Sequence, residues 1–138
     1  MIQRTLTILK PDTVSKAHCG EVIAMIEAEG FRILQVRRLQ LTTAQAQAFY
    51  AVHSERPFYA SLVKFMTEGP VWAMALERED AVAHLRTVMG ATNPANAAQG
   101  TVRARHAESI ERNAIHGSDS PENAAIELAF FFSTAELI

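Results

Sequence analysis

The sequence predicts an α+β domain, a four-stranded and mainly antiparallel sheet in a split β-α-β arrangement with helices packed on one face. Three observations predict it. Stretches of period-two alternation are interleaved with stretches of helical period, in the order strand, helix, strand, helical pair, strand, helix, strand, helix. Turn residues punctuate the joins at Gly30, Glu68-Gly69-Pro70 and Gly117. The chain has 138 residues, 49% of them hydrophobic, which suits a single domain over 1–138 that buries its core without a disulfide or structural metal.

Each element has a local reason. Arg4 to Leu9 reads as a strand, with Leu6 and Ile8 on one face and Thr5 and Thr7 on the other. Lys10 continues the Leu6/Ile8 face, and Pro11 ends the pairing because it lacks an N–H. Gly20 to Glu29 has a helical stripe of Val22, Ile23 and Ile26, closed by Gly30. Phe31 to Leu41 is a second strand, setting Ile33, Gln35 and Arg37 against Leu34, Val36 and Arg38. Thr42 and Gln45 make a capping box that opens a helix through Tyr50. Arg56-Pro57 breaks the chain before a helix from Phe58 to Thr67. Val71 to Leu76 is the third strand. Asp80 opens a helix whose stripe is Val82, Leu85, Val88 and Met89, with Arg86 on its flank. Gly90 to about Thr101 is irregular, and loops near that length tend to be functional. Ala114-Ile115-His116 is a fourth strand ending at Gly117. Ser120 caps a last helix with Pro121 at its first position.

Composition narrows the class of function. The net charge of −2 and a pI near 6.2 argue against dedicated nucleic-acid binding, which shows as a basic domain. Cys19 is the single cysteine and reads as a small apolar residue in a reducing compartment. Met1 to Thr5 is not a signal peptide, Thr134 to Ile138 is not a lipidation signal, and no apolar run nears the roughly 20 residues that span a bilayer. The expectation is a soluble, cytoplasmic protein.

Chemistry concentrates around Asn113-Ala114-Ile115-His116-Gly117-Ser118-Asp119-Ser120. A histidine at a strand end, followed by glycine and small polar residues, can be presented to solvent. On the last helix Glu127 falls beside Phe131, close to Ala124 and Leu128, where a carboxylate is expensive unless paired. Helical side chains lean toward the N-terminus, which adjoins His116 to Ser120. A carboxylate on one imidazole nitrogen fixes the tautomer and leaves the other a free lone pair. Lys10, Arg86, Thr92 and Arg103 are individually solvated surface groups; brought together near His116 they would make a phosphate clamp.

The absences also count. The six glycines form neither G-x-x-x-x-G-K-[ST] nor G-x-G-x-x-G, so no glycine-rich loop cradles phosphate. His18, His53, His84, His106, His116 and Cys19 lack the spacing of a zinc site.

These residues resemble the nucleoside diphosphate kinase family. N-A-I-H-G-S-D-S at 113–120 is similar to its active-site signature, a highly specific motif. Lys10-Pro11-Asp12 resembles its opening motif, and Tyr50 to Phe58 (Y-A-V-H-S-E-R-P-F) its nucleotide-entrance helical hairpin. Arg86 with Gly90-Ala91-Thr92-Asn93-Pro94, then Gly100-Thr101-Val102-Arg103, resembles its long phosphate-binding loop. The likeness runs from Arg4 to about Phe132. It implies a ferredoxin-like α/β sandwich with an inserted helical hairpin, and ping-pong transfer of a terminal phosphate, typically from ATP, to nucleoside diphosphates. It implies His116 as the phosphorylated nucleophile, oriented by Glu127 and Ser118, with Tyr50 near the transferred group. Arg86, Thr92 and Arg103 would hold phosphates, helped by His53; Lys10 and Asn113 would contact the sugar hydroxyl and phosphate region. Phe58 would stack on the base with Ile110 across from it, and stacking accepts any base because every base has a π-face. Mg²⁺ would arrive on the nucleotide phosphates rather than in a protein cage. A homo-oligomer is implied, a tetramer built from dimers in preference to a hexamer or dimer. One departure is Ala104-Arg105-His106, where the family usually has a glycine-aspartate-aromatic stretch. A second departure is that the chain stops at Ile138, short of family members whose C-terminal tail packs on a neighbouring subunit.

Two rival readings are a catalytically silent nucleic-acid-binding or regulatory module and an acylphosphatase-like hydrolase. The intact set around His116 speaks against the first, and the second needs no histidine nucleophile.

Overall fold

Four strands, β1 (Ile2–Leu9), β2 (Arg32–Leu39), β3 (Val71–Glu79) and β4 (Ile115–Gly117), form one sheet in the order β2-β3-β1-β4. The computed structural model describes residues 1–137. Every neighbouring pair is antiparallel, and Ile8 stands opposite Ala73 on one side and His116 on the other. β1 is therefore central and carries β4, a strand of three residues, to the middle of the molecule.

Among the described residues seven α-helices complete the fold: α1 (Pro11–Ser15), α2 (Cys19–Ala28), α3 (Thr43–Phe49), α4 (Tyr59–Met66), α5 (Ala81–Met89), α6 (Val102–His106) and α7 (Pro121–Phe131). The local reasons hold where the signals were strong. Thr42 Oγ1 accepts from Gln45 N–H at 3.1 Å, and Gln45 Oε1 accepts from Thr42 N–H at 2.9 Å. Ser120 Oγ accepts from Asn123 N–H at 3.1 Å with Pro121 at the first helical position.

The helices cover both faces of the sheet, not one. Leu6, Ile8, Ala73 and Ala75 meet α3, α4 and α7 through Ala46, Met66, Leu128 and Phe131. Leu9, Met74 and Leu76 meet α2 and α5 through Val22, Ile26, Leu85 and Met89. Thr5 and Thr7 are consequently fully buried despite their hydroxyls. Each such large aliphatic side chain contributes about 1.5–3 kcal/mol by leaving water, and the two layers share β1 and β3. The result is the ferredoxin-like α+β sandwich.

Three other details differ from the sequence reading. The alternation in β2 is interrupted: the register steps from Ile33 opposite Leu76 to Gln35 opposite Ala75, so Leu34 is the extra residue of a bulge. Ile33 thus faces the α2/α5 layer, while Gln35 and Arg37 stand opposite Ala75 and Ala73 of the other. Pro11 does more than stop β1, since it opens α1. The long irregular stretch contains a single 3₁₀ turn at Pro94–Asn96 and leads directly into α6, which Thr101 caps. Cys19 is buried among apolar side chains, and burial pushes its thiol up to about 11, as an inert core residue should show.

Candidate active site

The backbone around His116 is held by strand pairing and by a strained turn. Thr7 Oγ1 donates to His116 O at 2.7 Å. Just upstream, Ala114 has φ +75°, and Ile115 N–H bonds Asn113 O at 2.9 Å across it, closing a tight three-residue turn. An L-residue in this left-handed region costs about 1–2 kcal/mol, so neighbouring groups must hold it there. Lys10 N–H and Thr13 Oγ1 donate to Ala114 O at 2.9 and 2.8 Å, and Asp12 Oδ2 accepts from Ala114 N–H at 3.0 Å.

The imidazole is bonded on one nitrogen only. His116 Nε2 lies 2.7 Å from Glu127 Oε1, and Ser118 Oγ donates to the same oxygen at 2.8 Å. In a neutral ring this places the hydrogen on Nε2 and the lone pair on Nδ1, which has no hydrogen-bond partner among the described residues. Phe49 and Tyr50 present T-shaped contacts to the ring at 5.4 and 6.1 Å, limiting its rotation. Glu127 is placed by the Ser120 cap: α7 buries Ala124, Leu128 and Phe131, and Glu127 sits at the edge of that face.

His116 opens onto a cleft of about 670 Å³, within the range of small-ligand sites. Lys10, Tyr50, His53, Phe58, Arg86, Thr92, Arg103, Ile110, Asn113 and Glu127 also line it. Of the residues singled out from sequence only Ser118 does not; it is fully buried behind Glu127. Lys10 Nζ donates to Asn113 Oδ1 at 2.7 Å. Burial, reinforced by Arg103 and opposed by Asp12 and Glu111, lowers its amine to about 8. Arg103 donates to Asn113 O, Gly90 O and Ile115 O at 3.3, 3.1 and 2.8 Å. Burial and then Arg86 lower its guanidinium to about 10. Arg103 is thus a wall of the cleft as well as a cation in it. The Tyr50 hydroxyl is buried with no partner among the described residues, and burial followed by the charge of Glu127 pushes its ionisation well up, so it is a neutral donor. His53 sits between the Tyr50 and Phe58 rings, 6.4 and 5.5 Å away. Phe58 and Ile110 are exposed at the cleft's mouth, free to receive a flat ring.

Sequence reasoning passed over several cleft residues, among them Phe49, Val52, Met89, Glu111, Asp119 and Ile126. Val52 and Ile126 are 82% and 68% exposed, and unexplained exposure of this kind appears only once the fold is known. Asp12, three residues past the end of β1 and only 2% exposed, had no role assigned beyond its place in the Lys10-Pro11-Asp12 motif. Among the described residues no group of three His, Cys, Asp or Glu side chains is arranged to hold a metal ion. None of the described helices is long and apolar enough to cross a membrane.

An imidazole tied by a carboxylate on one nitrogen, open on the other, and sharing a cleft with two arginines and a lysine has the parts that phosphoryl transfer through a histidine requires. The comparisons with known proteins agree. The family model described as nucleoside diphosphate kinase matches residues 3–137. A nucleoside diphosphate kinase of Azorhizobium caulinodans is 58% identical over 137 residues, covering 99% of this chain and 98% of that protein. One from Chlamydia abortus is 56% identical, covering 99% and 97%. The crystal structure of the Aquifex aeolicus nucleoside diphosphate kinase superposes with a TM-score of 0.98 at 41% identity, covering all of both chains. The chain belongs to the nucleoside diphosphate kinase family, and it is an enzyme.

Proposed function

We propose that His116 carries the phosphate in this chain's kinase reaction, taking the γ-phosphate of a nucleoside triphosphate, typically ATP, and passing it to a nucleoside diphosphate. The observation that carries this reading is the Glu127–His116 bond on Nε2, which leaves Nδ1 as the ring nitrogen with a free lone pair. Nδ1 attacks the γ-phosphorus, the bond to the β-γ bridging oxygen breaks, and the nucleoside diphosphate leaves. An acceptor diphosphate then attacks the phosphohistidine by the reverse path, which is ping-pong transfer and serves to balance nucleoside triphosphate pools.

Each neighbour has a part. Glu127, with Ser118 behind it, stabilises positive charge as it develops on the ring. Arg86, Arg103 and Thr92 hold the phosphates, Lys10 and Asn113 the sugar hydroxyl and β-γ region, and Tyr50 donates its free hydroxyl to the transferred group. His53 assists at the phosphates, and the base stacks on Phe58 with Ile110 opposite. Mg²⁺ comes with the nucleotide and supplies neutralisation of phosphate charge. The chain acts in the cytoplasm as a homo-oligomer, a tetramer in preference to a hexamer or dimer. Support for assembly comes from β2, an edge strand with Val36 43% exposed.

The test is incubation with γ-labelled ATP and Mg²⁺. The expected product is an acid-labile, alkali-stable phosphoenzyme that discharges onto added GDP and is absent from His116→Ala. Label retained in that variant would move the nucleophile elsewhere.

A further inference from the structure

We propose that Asp12 is a positioning residue of the phosphotransfer site, its carboxylate holding the left-handed turn at Ala114 from which the His116 strand starts. The proposal rests on His116 being the phosphate carrier.

Asp12 lies in α1, more than a hundred residues before Ala114 in the chain, and is 2% exposed. Its Oδ2 accepts the Ala114 N–H at 3.0 Å, while Oδ1 is buried with no partner among the described residues. A buried carboxylate with one idle oxygen is costly, and a core without it would be easier to build. What the carboxylate does in return is local. Ala114 sits at φ +75°, a conformation an alanine leaves unless held, and its N–H has no strand partner. Lys10 N–H and Thr13 Oγ1 grip the carbonyl of the same residue, so one segment, Lys10 to Thr13, clamps both polar groups of Ala114.

The turn sets more than the backbone of Ala114. Asn113, on one side of it, accepts Lys10 Nζ on its side chain and Arg103 Nε on its carbonyl. Ile115, on the other, accepts Arg103 Nη2 at 2.8 Å and leads directly to His116. If the turn relaxes toward extended φ, the direction in which β4 presents the imidazole changes. Base stacking on Phe58 and phosphate contacts to Arg86 and Thr92 stand on other elements and are untouched.

Steady-state kinetics on the full chain separate positioning from general damage. Asp12→Ala should lower kcat roughly 10²-fold, the scale on which an ångström of misplacement acts, and change KM for nucleoside diphosphate by no more than about threefold. Asp12→Asn keeps an acceptor for the Ala114 N–H and should recover kcat to within about fivefold of the parent. Thr13→Val, which removes the hydroxyl grip with little change of shape, should lower kcat by about three- to tenfold, and it decides the matter if Asp12→Ala does not fold. Parental kcat in Asp12→Ala and Thr13→Val, a loss carried by KM alone, or Asp12→Asn as damaged as Asp12→Ala would overturn the proposal. Phosphoenzyme labelling is read alongside. Label on His116 with parental kcat in Asp12→Ala and Thr13→Val defeats the positioning role alone, whereas label missing from His116 in the parent defeats the nucleophile reading and this proposal with it.

Discussion

Glu127 sets the state of the nucleophile, and its removal can be worked through quantitatively. Its Oε1 lies 2.7 Å from His116 Nε2, and the two side chains are only 18% and 19% exposed, so solvent screens the pair weakly. A hydrogen bond to a charged group contributes about 1.5–3 kcal/mol against about 0.5–1.5 for a neutral one. Glu127→Gln keeps an acceptor of the same reach and loses the charge, a difference of about 1–1.5 kcal/mol. Because the ring gains positive charge only as phosphorus is attacked, that loss falls on the transition state. At 1.36 kcal/mol per factor of ten, phosphorylation should slow by about 5- to 15-fold. Glu127→Ala loses the whole bond and frees the tautomer, for about 10²-fold. Single-turnover phosphorylation by excess ATP, followed in a rapid-quench instrument, reads the step directly, and KM should move little in either variant. A Glu127→Ala enzyme phosphorylated at the parental rate would refute the reasoning, because the ring would then need no carboxylate to hold or compensate it.

Four further outcomes are expected. Lys10 is lowered to about 8, so kcat/KM, which reports the free enzyme, should fall as pH rises past that value while the amine loses its proton, and Lys10→Gln should lack this limb. Stability runs the other way: the unfolded chain binds this proton more tightly, so the penalty of burying the ammonium is complete below pH 8 and is relieved between 8 and the ordinary value of 10.5, which urea unfolding on either side of that window checks against Lys10→Gln. Phe58→Ala should weaken binding of purine and pyrimidine nucleotides alike by about 1–3 kcal/mol, measured as KM across four bases, whereas a loss confined to one base would argue against stacking. Gly90→Ala should destabilise by about 1–3 kcal/mol and depress activity, since φ is +87° and a Cβ would meet Thr101 Oγ1 at 2.4 Å, disturbing the cap of the helix that carries Arg103; thermal melting and kcat/KM read the two effects.

The parts of the fold legible in the sequence were those with long or paired signals. The Thr42/Gln45 box, the Ser120-Pro121 start of α7 and the Val82-Leu85-Val88-Met89 stripe act through neighbours three or four residues away, and all appear in the structure. Helices α1 and α6 have five residues each, too few to show a period, and Pro11 looked only like a strand stop. The bulge at Leu34 depends on how β2 meets β3, a long-range register that no local pattern encodes. Thr5 and Thr7 carried the wrong polarity for a sheet covered on both faces. In the site, Glu127 was legible because a carboxylate beside a buried stripe demands a partner, and His116 is the partner supplied. The strained turn at Ala114 left no trace, because alanine is not a residue that announces positive φ. Asp12 was missed for the same reason, since what it holds is backbone.

With Glu127 on Nε2 of His116, Nδ1 is the atom left to bond phosphorus. Phosphorus-31 NMR of the enzyme phosphorylated by ATP and Mg²⁺, denatured in alkali and compared with the two authentic phosphohistidine isomers, reads that atom directly. A single resonance matching the Nδ1 isomer is expected, lost in His116→Ala. A resonance matching the Nε2 isomer would contradict that assignment.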